Sequence, residues 1–192
     1  MFNGRRDVSP RQHLKLFGFC LSVLLCSGVS DSNLRAESVM QTEYLGTLYA
    51  PYDPPHKVSA ALSVYPMSMA RGGYLRGPNI DSRPIPPCAD WYRSASEGSF
   101  VIDFRCLFQT KDGALIHMEM EGPFYPSSTY LAECDEGRII DGKDIGARPL
   151  VRFETDSERY GWLNTFSGFG VPVREKCLDG DYFIEYEIHR VR

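Results

Sequence analysis

The sequence predicts an all-β protein, a single antiparallel β-barrel of about eight to ten strands with one long loop. Short apolar or alternating segments recur along the chain, and turn-forming residues separate them, with 17 Gly and 13 Pro among 192 residues. Eleven Tyr and eleven Phe add aromatic side chains, which favour strands over helices. No segment keeps the apolar spacing of an amphipathic helix for three turns. A β-sandwich fits the same pattern, so closure of the sheet is an expectation.

The first 30 residues have the order of a secretory signal. Basic residues precede the apolar segment 16–26 (LFGFCLSVLLC), and small residues follow it. The apolar segment is too short to cross a bilayer as a helix, which takes about 20 residues. We therefore assign residues 1–30 to a signal peptide or leader, with an uncleaved anchor or a cytosolic leader as alternatives. The barrel domain is assigned to residues 43–192, and we expect a secreted protein without a stable membrane span after signal removal.

Four cysteines lie outside the leader: Cys88, Cys106, Cys134 and Cys177. An even number in an exported chain is compatible with two disulfides, whose three pairings the sequence does not distinguish. Buried free thiols are the alternative. The chain has no CxxC or His-x-His spacing, so we expect no metal site.

Charge and motifs exclude several classes of function. The net charge is -4, and Lys and Arg form no cluster, so we expect no nucleic-acid partner. Residues 166–170 (FSGFG) lack the leading glycine of a nucleophile elbow, and Gly168-Phe169-Gly170 is too short for a dinucleotide fingerprint. The sequence has no phosphate-binding loop, and we expect no cofactor.

The first strands are separated by proline and glycine. Residues 43–49 (EYLGTLY) predict a strand that ends at the prolines of 51–55, and residues 58–65 predict a second strand. The glycines of 71–78 indicate a sharp turn or a sheet bend with close backbone approach. Residues 79–87 end in PIPP and are expected to be irregular, because proline cannot donate to a central ladder.

Residues 88–92 predict a short strand, and residues 98–122 predict the β-hairpin around which the chain is organised. A three-residue loop ending at Gly113, in the left-handed conformation, sets Thr110 opposite Ala114. A two-residue loop would exchange the faces of the hairpin. The predicted register makes one face apolar and the other polar, pairing Phe104 with Met120, Cys106 with Met118, Phe108 with Ile116, Arg105 with Glu119, Asp103 with Glu121 and Leu107 with His117.

The remaining residues contain the long loop and the last strands. Residues 123–149 have no clear period, and connections of that length are usually functional lids or partly disordered segments. Residues 150–154 and 160–166 predict strands, and residues 171–176 lead to a turn. Residues 181–191 alternate over their whole length, which indicates a strand with one apolar face.

Four motifs in order carry a resemblance to a known family: GGYLRGP at 72–78, PxxADW at 86–91, DFRCLFQTKDGALI at 103–116 and FETDSERYGWLN at 153–164. With them, residues 43–192 resemble the domain-of-unknown-function 3237 family of small β-barrel proteins. The family usually has Gly-Gly where this chain has Pro87-Cys88, and a glycine at Ser82. The resemblance implies the barrel fold. It also implies a link to aromatic-polyketide or meroterpenoid pathways, where some fungal relatives look like isomerases or cyclases.

The polar face of the hairpin offers candidate catalytic residues. Arg105, His117 and Glu119 lie within reach of one another across two strands. If this face lined a cavity, His117 or Glu119 could carry a proton while Arg105 stabilises an enolate or phenolate. The alternative is a solvated outer face, because alternation does not say which side of a closed sheet is the inside.

Two aromatic elements offer a candidate substrate site. Asp90 and Trp91 are adjacent, and Tyr160, Trp162 and Asn164 follow one another closely. In a cavity the aromatic rings would hold a flat apolar substrate, and Asp90, as a catalytic polar group, and Asn164 would orient it. The alternative is an ordinary aromatic core in which Asp90 caps a turn.

These residues favour a cofactor-independent isomerase or cyclase, of a type that includes hetero-Diels–Alder reactions, acting on an aromatic polyketide- or meroterpenoid-derived molecule. Such catalysis needs a shaped apolar cavity and a few groups that stabilise developing charge. The alternative is a secreted, non-catalytic barrel that binds a small molecule. A sheet edge left by incomplete closure would support a homodimer.

Overall fold

The computed structural model describes residues 40–96, 98–177 and 180–192. The predicted leader at 1–30 lies outside the described residues. The elements are β1 (Thr42–Pro51), β2 (His56–Ser59), β3 (Leu62–Pro66), β4 (Tyr74–Gly77), β5 (Ile80–Ser94), β6 (Phe100–Thr110), β7 (Leu115–Phe124), α1 (Ser128–Asp135), β8 (Ile140–Asp141), β9 (Leu150–Glu154), β10 (Gly168–Lys176) and β11 (Phe183–Val191), with 3-10 helices at Gly142–Asp144 and Gly161–Thr165.

Eight of these strands close into an antiparallel barrel. Their order is β5-β4-β1-β11-β10-β9-β7-β6, and β6 pairs back with β5. The β2–β3 hairpin extends the sheet from β5 outside this ring, and the short β8 pairs with β10. The predicted all-β barrel is confirmed.

The central hairpin has the predicted register. Phe104 pairs with Met120, and Arg105 pairs with Glu119. Gly113 has a φ of 89°, the left-handed conformation that the three-residue loop requires. The apolar face points inward, where Phe108, Ile116 and Met118 are fully buried, so the polar face is the outer one.

Two expectations for the first half of the chain were wrong. Residues 58–65 are parts of two strands, because the chain reverses at Ala60-Ala61, where no glycine or proline marks the turn. Residues 80–87 belong to the long central strand β5. Pro86 and Pro87 are tolerated there because β5 bulges between Ile85 and Cys88, which places both outside the ladder.

Two segments of the second half also differ from the prediction. Residues 160–166, predicted as a strand, mostly form a 3-10 helix. The predicted long loop at 123–149 contains α1, whose amide at Tyr130 donates to the Ser127 side chain at 3.0 Å. That N-cap satisfies a donor that the first helical turn leaves free.

Two disulfides stabilise the fold. Cys88 and Cys106 lie directly opposite each other on β5 and β6, with Cα atoms 4.2 Å apart. Cys134 of α1 is bonded to Cys177, just after β10. No helix in the described part of the chain is long and apolar enough to cross a membrane.

Glycine is required where β1 and β4 approach each other. A Cβ atom on Gly77 would lie 1.9 Å from the carbonyl oxygen of Leu45 and 2.7 Å from the Cα of Gly46. These neighbours are backbone atoms, which cannot rotate away as a side chain would. The glycines of this segment therefore permit the close strand contact that the sequence indicated.

We expect Gly77→Ala to lower the free energy of unfolding by about 2 kcal/mol, because added volume forces the two strands apart. In a thermal melt this corresponds to a fall in Tm of about 4–8 °C. Gly161→Ala is the matched control, since a Cβ there meets nothing within 4 Å. Equal Tm values for the two variants would show that the strand contact is not needed.

Candidate active site

The interior of the barrel is only partly filled by its core and contains a cavity of about 380 Å³ that reaches the surface beside the exposed Lys57. That volume is typical of small-molecule sites, which occupy roughly 300–1,000 Å³. Its walls are mostly aromatic and aliphatic, with two carboxyl groups among them. The lining includes Leu48, Tyr52, Tyr65, Asp90, Tyr92, Phe104, Met120, Phe124, Tyr130, Ile145, Glu175, Tyr182, Ile184 and Tyr186.

Asp90 points inward because of its position on β5. It pairs with Phe104 of β6, and Cys88 two residues earlier also faces the interior. Its Oδ1 atom accepts a hydrogen bond from the backbone N–H of Asp103 at 2.9 Å. Its remaining exposed area borders the cavity, so the carboxyl group is accessible to a bound molecule although protein surrounds it.

Glu175 points inward because of a β-bulge in β10. Gly168, Gly170 and Pro172 face the interior in regular alternation, and strict alternation would place Arg174 there next. The register with β11 shifts between Pro172 and Arg174, which moves Glu175 inside and Arg174 outside. Glu175 is 8% exposed, whereas Arg174 pairs with Glu185 on the outer surface.

Both interior carboxyl groups have raised pKa values. Burial, together with the nearby charge of Asp103, raises the pKa of Asp90 to about 7, against the opposing hydrogen bond from the Asp103 amide. Burial and the charge of Asp90 raise the pKa of Glu175 to about 7, although hydrogen bonds from Tyr52 and Tyr130 oppose this. Among the described residues, neither carboxyl group forms an ion pair with Lys, Arg or His. Each is therefore able to gain or lose a proton near neutral pH.

Tyrosine hydroxyl groups surround the two acids. The Tyr52 hydroxyl donates to Oε1 of Glu175 at 2.9 Å. Burial and the charge of Glu175 raise the pKa of Tyr52 well above its ordinary value. The pKa values of Tyr130 and Tyr186 are raised by the same two causes, so these hydroxyls stay protonated and are able to donate hydrogen bonds.

This arrangement is suited to moving a proton within an apolar space. One carboxyl group can donate while the other accepts, since both titrate near neutral pH. The tyrosine hydroxyls can stabilise an oxyanion, and the aromatic walls can hold a flat ligand and exclude water.

The residues predicted on the polar face of the hairpin lie outside the cavity. The side chain of Arg105 is 59% exposed and forms an ion pair with Asp103 at 3.0 Å. Glu119 faces Arg152 across the outer surface at 4.0 Å, and His117 lies on the same outer face. The structure does not bring these three residues together with Asp90 around a ligand space.

The predicted aromatic wall is also outside the cavity. Trp91 is 46% exposed on the outer face of β5. Tyr160 and Trp162 border a separate open cleft beside the hairpin loop, with Asp81 and Lys111 among its other lining residues. Asn164 is exposed and exchanges two hydrogen bonds of 2.9 Å with the backbone of Thr155. Of the eight predicted site residues, only Asp90 lines the barrel cavity.

Glu175 and the interior tyrosines were not among the predicted residues. The alternation of 181–191 does place Tyr186 on the apolar face of a strand, and this is a usable signal for the wall. The sequence does not indicate that Glu175 faces the interior. The polarity of residues 172–176 (PVREK) does not reveal the bulge at Val173 that turns this side chain inward. The pairing of Tyr52 with Glu175 joins residues 123 positions apart and depends on barrel closure.

Known proteins with similar sequences and similar folds include a family of small proteins and several bacterial members. The model of the family described as "Protein of unknown function (DUF3237)" matches residues 40–191. A UPF0311 protein of Rhodopseudomonas palustris is 28% identical over 103 residues, 54% of this chain and 67% of that protein. The solved structure of that bacterial protein has a TM-score of 0.68 at 23% identity, covering 80% of this chain and 97% of the solved one.

Two further relatives extend the comparison. A β-barrel-like protein of Acinetobacter baumannii has a TM-score of 0.60 at 27% identity, covering 80% of this chain and 96% of that chain. The hydroalkoxylation enzyme phnH of Penicillium herquei is 33% identical over 115 residues, 60% of each chain. The matched stretches thus span about 60–67% of the length of the curated relatives named here.

The barrel architecture, the match over nearly all described residues and the shared fold of bacterial relatives agree with one another. The chain belongs to the DUF3237 family, whose description is that of proteins of unknown function.

Proposed function

We propose that this chain is a cofactor-independent acid–base enzyme that isomerises or cyclises a flat, aromatic polyketide- or meroterpenoid-derived molecule inside the barrel. The observation that carries the proposal is the pair of buried carboxyl groups, Asp90 and Glu175, which face one apolar cavity without an ion-pair partner among the described residues. Buried acids of this kind are usual in sites that transfer protons.

The hydrogen bonds assign different roles to the two acids. Glu175 accepts from Tyr52 and is also hydrogen-bonded by Tyr130, and both interactions favour the ionised carboxylate. Asp90 accepts one backbone amide on Oδ1, which leaves Oδ2 as the atom that carries a proton into the cavity. Asp90 is therefore the general acid and Glu175 the general base.

A hydroalkoxylation within one molecule illustrates the step. Asp90 gives its proton to one carbon of a C=C bond, and a substrate hydroxyl oxygen bonds to the other carbon. Glu175 accepts the hydroxyl proton, so one C–O and one C–H bond form while one O–H and one C=C π bond are lost. No electrons are gained or lost overall, and an acid and a base suffice. Solvent then returns the two carboxyl groups to their starting protonation states.

The walls support a flat, mostly apolar substrate. Phe104, Phe124 and Met120 supply apolar surface, while hydroxyls of Tyr65 and Tyr92 border the same space. Such a mixture holds an aromatic ring and orients it by a few polar contacts. The similarity to the Penicillium herquei hydroalkoxylation enzyme supports the same class of chemistry.

Two other functions of the cavity make different predictions. A concerted cyclisation of the hetero-Diels–Alder type would need the shape of the cavity and hydrogen-bond donors, but no proton transfer to carbon. A non-catalytic binding barrel would need only the walls. Neither needs two acids that titrate near neutral pH in one cavity, which is why we favour the acid–base enzyme.

Secretion and a homodimer remain predictions from the sequence. The two disulfides support export, since disulfides persist in oxidising compartments. The β2–β3 hairpin lies outside the closed ring, and a dimer would form through the edge of β2 that no described strand pairs with.

We expect Asp90→Asn and Glu175→Gln each to lower kcat by about a hundredfold to ten-thousandfold, because each removes one partner of the proton transfer. The assay follows ring closure of a naphthol that carries an ortho-prenyl group. Wild-type activity should fall on both sides of about pH 7, since one acid must be protonated and the other ionised.

Glu154→Gln is the control for that experiment, since it removes a carboxyl group from the exposed outer end of β9. Its kcat should equal that of the wild type. Full activity of both Asp90→Asn and Glu175→Gln would refute the assignment. Loss of activity in Glu119→Gln alone would instead support the acids of the outer hairpin face.

Ring closure in heavy water should place one deuterium on carbon, because the proton delivered by Asp90 exchanges with solvent before each turnover. Mass spectrometry of the purified product measures this directly. Asp90→Asn should slow this incorporation together with kcat, and an unchanged rate of incorporation in that variant would show that Asp90 does not deliver the proton.

The raised pKa values also predict how stability depends on pH. Between about pH 4, where free carboxyls titrate, and about pH 7, the folded state keeps protons that the unfolded chain has lost. Stability from these groups therefore falls as pH rises through this window. The loss is about 1.4 kcal/mol for every unit by which the pKa in the folded protein exceeds that in the unfolded chain.

Chemical denaturation at about pH 5 and about pH 8 tests this expectation. The wild type should lose at least about 1 kcal/mol more on raising the pH than the double variant Asp90→Asn/Glu175→Gln. An equal loss in both proteins would show that the buried acids titrate normally.

A further inference from the structure

A second depression, lined by residues without charge, lies directly beside the barrel cavity and shares part of its lining. This side groove has a volume of about 280 Å³ and is formed by the β2–β3 turn, the ends of β5, β6 and β7, and the start of α1. Its own residues include Ala60, Ala61, Leu62, Pro126 and Leu131. No Asp, Glu, Lys, Arg or His is among the described residues that line it.

The side groove and the cavity share part of their walls. Tyr65, Tyr92, Phe124 and Tyr130 line both spaces. Their rings are in mutual contact, with centroids 5.7 Å apart for Tyr65 and Tyr92, 6.2 Å for Tyr92 and Phe124, and 5.0 Å for Phe124 and Tyr130. These four residues therefore form an aromatic rim between the acid-bearing cavity and the uncharged groove.

The cavity carries acidic groups and the groove carries none, a difference that suits a molecule with a reactive polar end and an aliphatic end. The cavity contains Asp90 and Glu175, whereas the groove offers aliphatic and aromatic surface with Ser63 and Ser94 as its serines. An aliphatic chain gains free energy from such a surface, at roughly a fourfold gain in affinity for each buried methylene. An uncharged groove of aromatic and aliphatic side chains next to a ligand cavity is a place where such a chain would be stabilised.

We propose that the side groove is a subsite for an aliphatic chain of the substrate, whose aromatic, reacting end lies in the barrel cavity. The chain passes over the aromatic rim and lies between the β2–β3 turn and α1. This inference rests on the proposed function, and within its substrate class it assigns a separate place to an alkyl or isoprenoid tail.

Two probes and three variants test the subsite. The probes are naphthol and hexylnaphthol, with the hexyl chain on the ring that does not carry the hydroxyl. Ala61→Trp and Leu131→Trp place a large ring in the groove from exposed positions, where the fold tolerates a larger side chain. Ala132→Trp is the matched control, since Ala132 is exposed on the same helix and lines neither space.

Dissociation constants measured by titration calorimetry give the outcome. The wild type and Ala132→Trp should bind hexylnaphthol at least about tenfold more tightly than naphthol. Ala61→Trp and Leu131→Trp should reduce this ratio to about threefold or less and leave the Kd of naphthol unchanged, which also shows that they are folded. An undiminished ratio in both groove variants would overturn the subsite.

Failure of the proposed function would look different. If turnover of the prenylated naphthol is unaffected by Asp90→Asn and Glu175→Gln while the groove variants still abolish the tail preference, the acid–base role falls and the binding subsite stands. If the acids are required but the tail preference is the same in every variant, the subsite falls and the enzyme assignment stands.

Discussion

Closure of the sheet is the constraint on which the rest of this structure depends. Once β6 pairs with both β5 and β7, every strand has an inside and an outside, and each side chain is assigned to one of them by its parity along the strand. Apolar residues at alternate positions of the central hairpin then fill the interior. The charged residues of the same strands are directed to solvent, where their ion pairs contribute little to stability.

The two interior carboxyl groups lie on strands in which a bulge shifts this alternation. A regular β10 would place Arg174 inside the barrel, and one additional residue at the bulge replaces it with Glu175. The bulge in β5 is placed before Cys88, and it leaves Asp90 on the inner face opposite Phe104. Burying two carboxyl groups costs free energy when, as among residues 40–96, 98–177 and 180–192, no cation pairs with them, so their presence among aromatic walls indicates a role other than stability.

The sequence predicts those features of the fold and site that depend on neighbouring residues, and it does not predict those that depend on pairing between distant segments. The hairpin register depends on a short loop and on local alternation, and the sequence predicted it correctly from Phe104 to Met120. Asp90 was identified because it lies in a family motif beside an aromatic residue. Its partner was not, because the phase of β10 depends on a bulge whose position is decided by pairing with β11. The outer position of Arg105 was likewise undecided, since either face of an isolated hairpin can become the interior of a barrel.

The turn of the β2–β3 hairpin lies apart from the interior acids within one small domain. The eight-stranded ring holds the acids, and a change to its strands would disturb closure and packing together. The hairpin lies outside that ring, where β3 pairs with β5. Its strand β2 is exposed, and its turn forms one wall of the side groove. Ala60, Ala61 and Leu62 at its turn line only the groove, so changes there leave the lining of the barrel cavity as it is. A protein built on this plan would acquire new ligands by remodelling one exposed turn, while the two interior acids keep their positions.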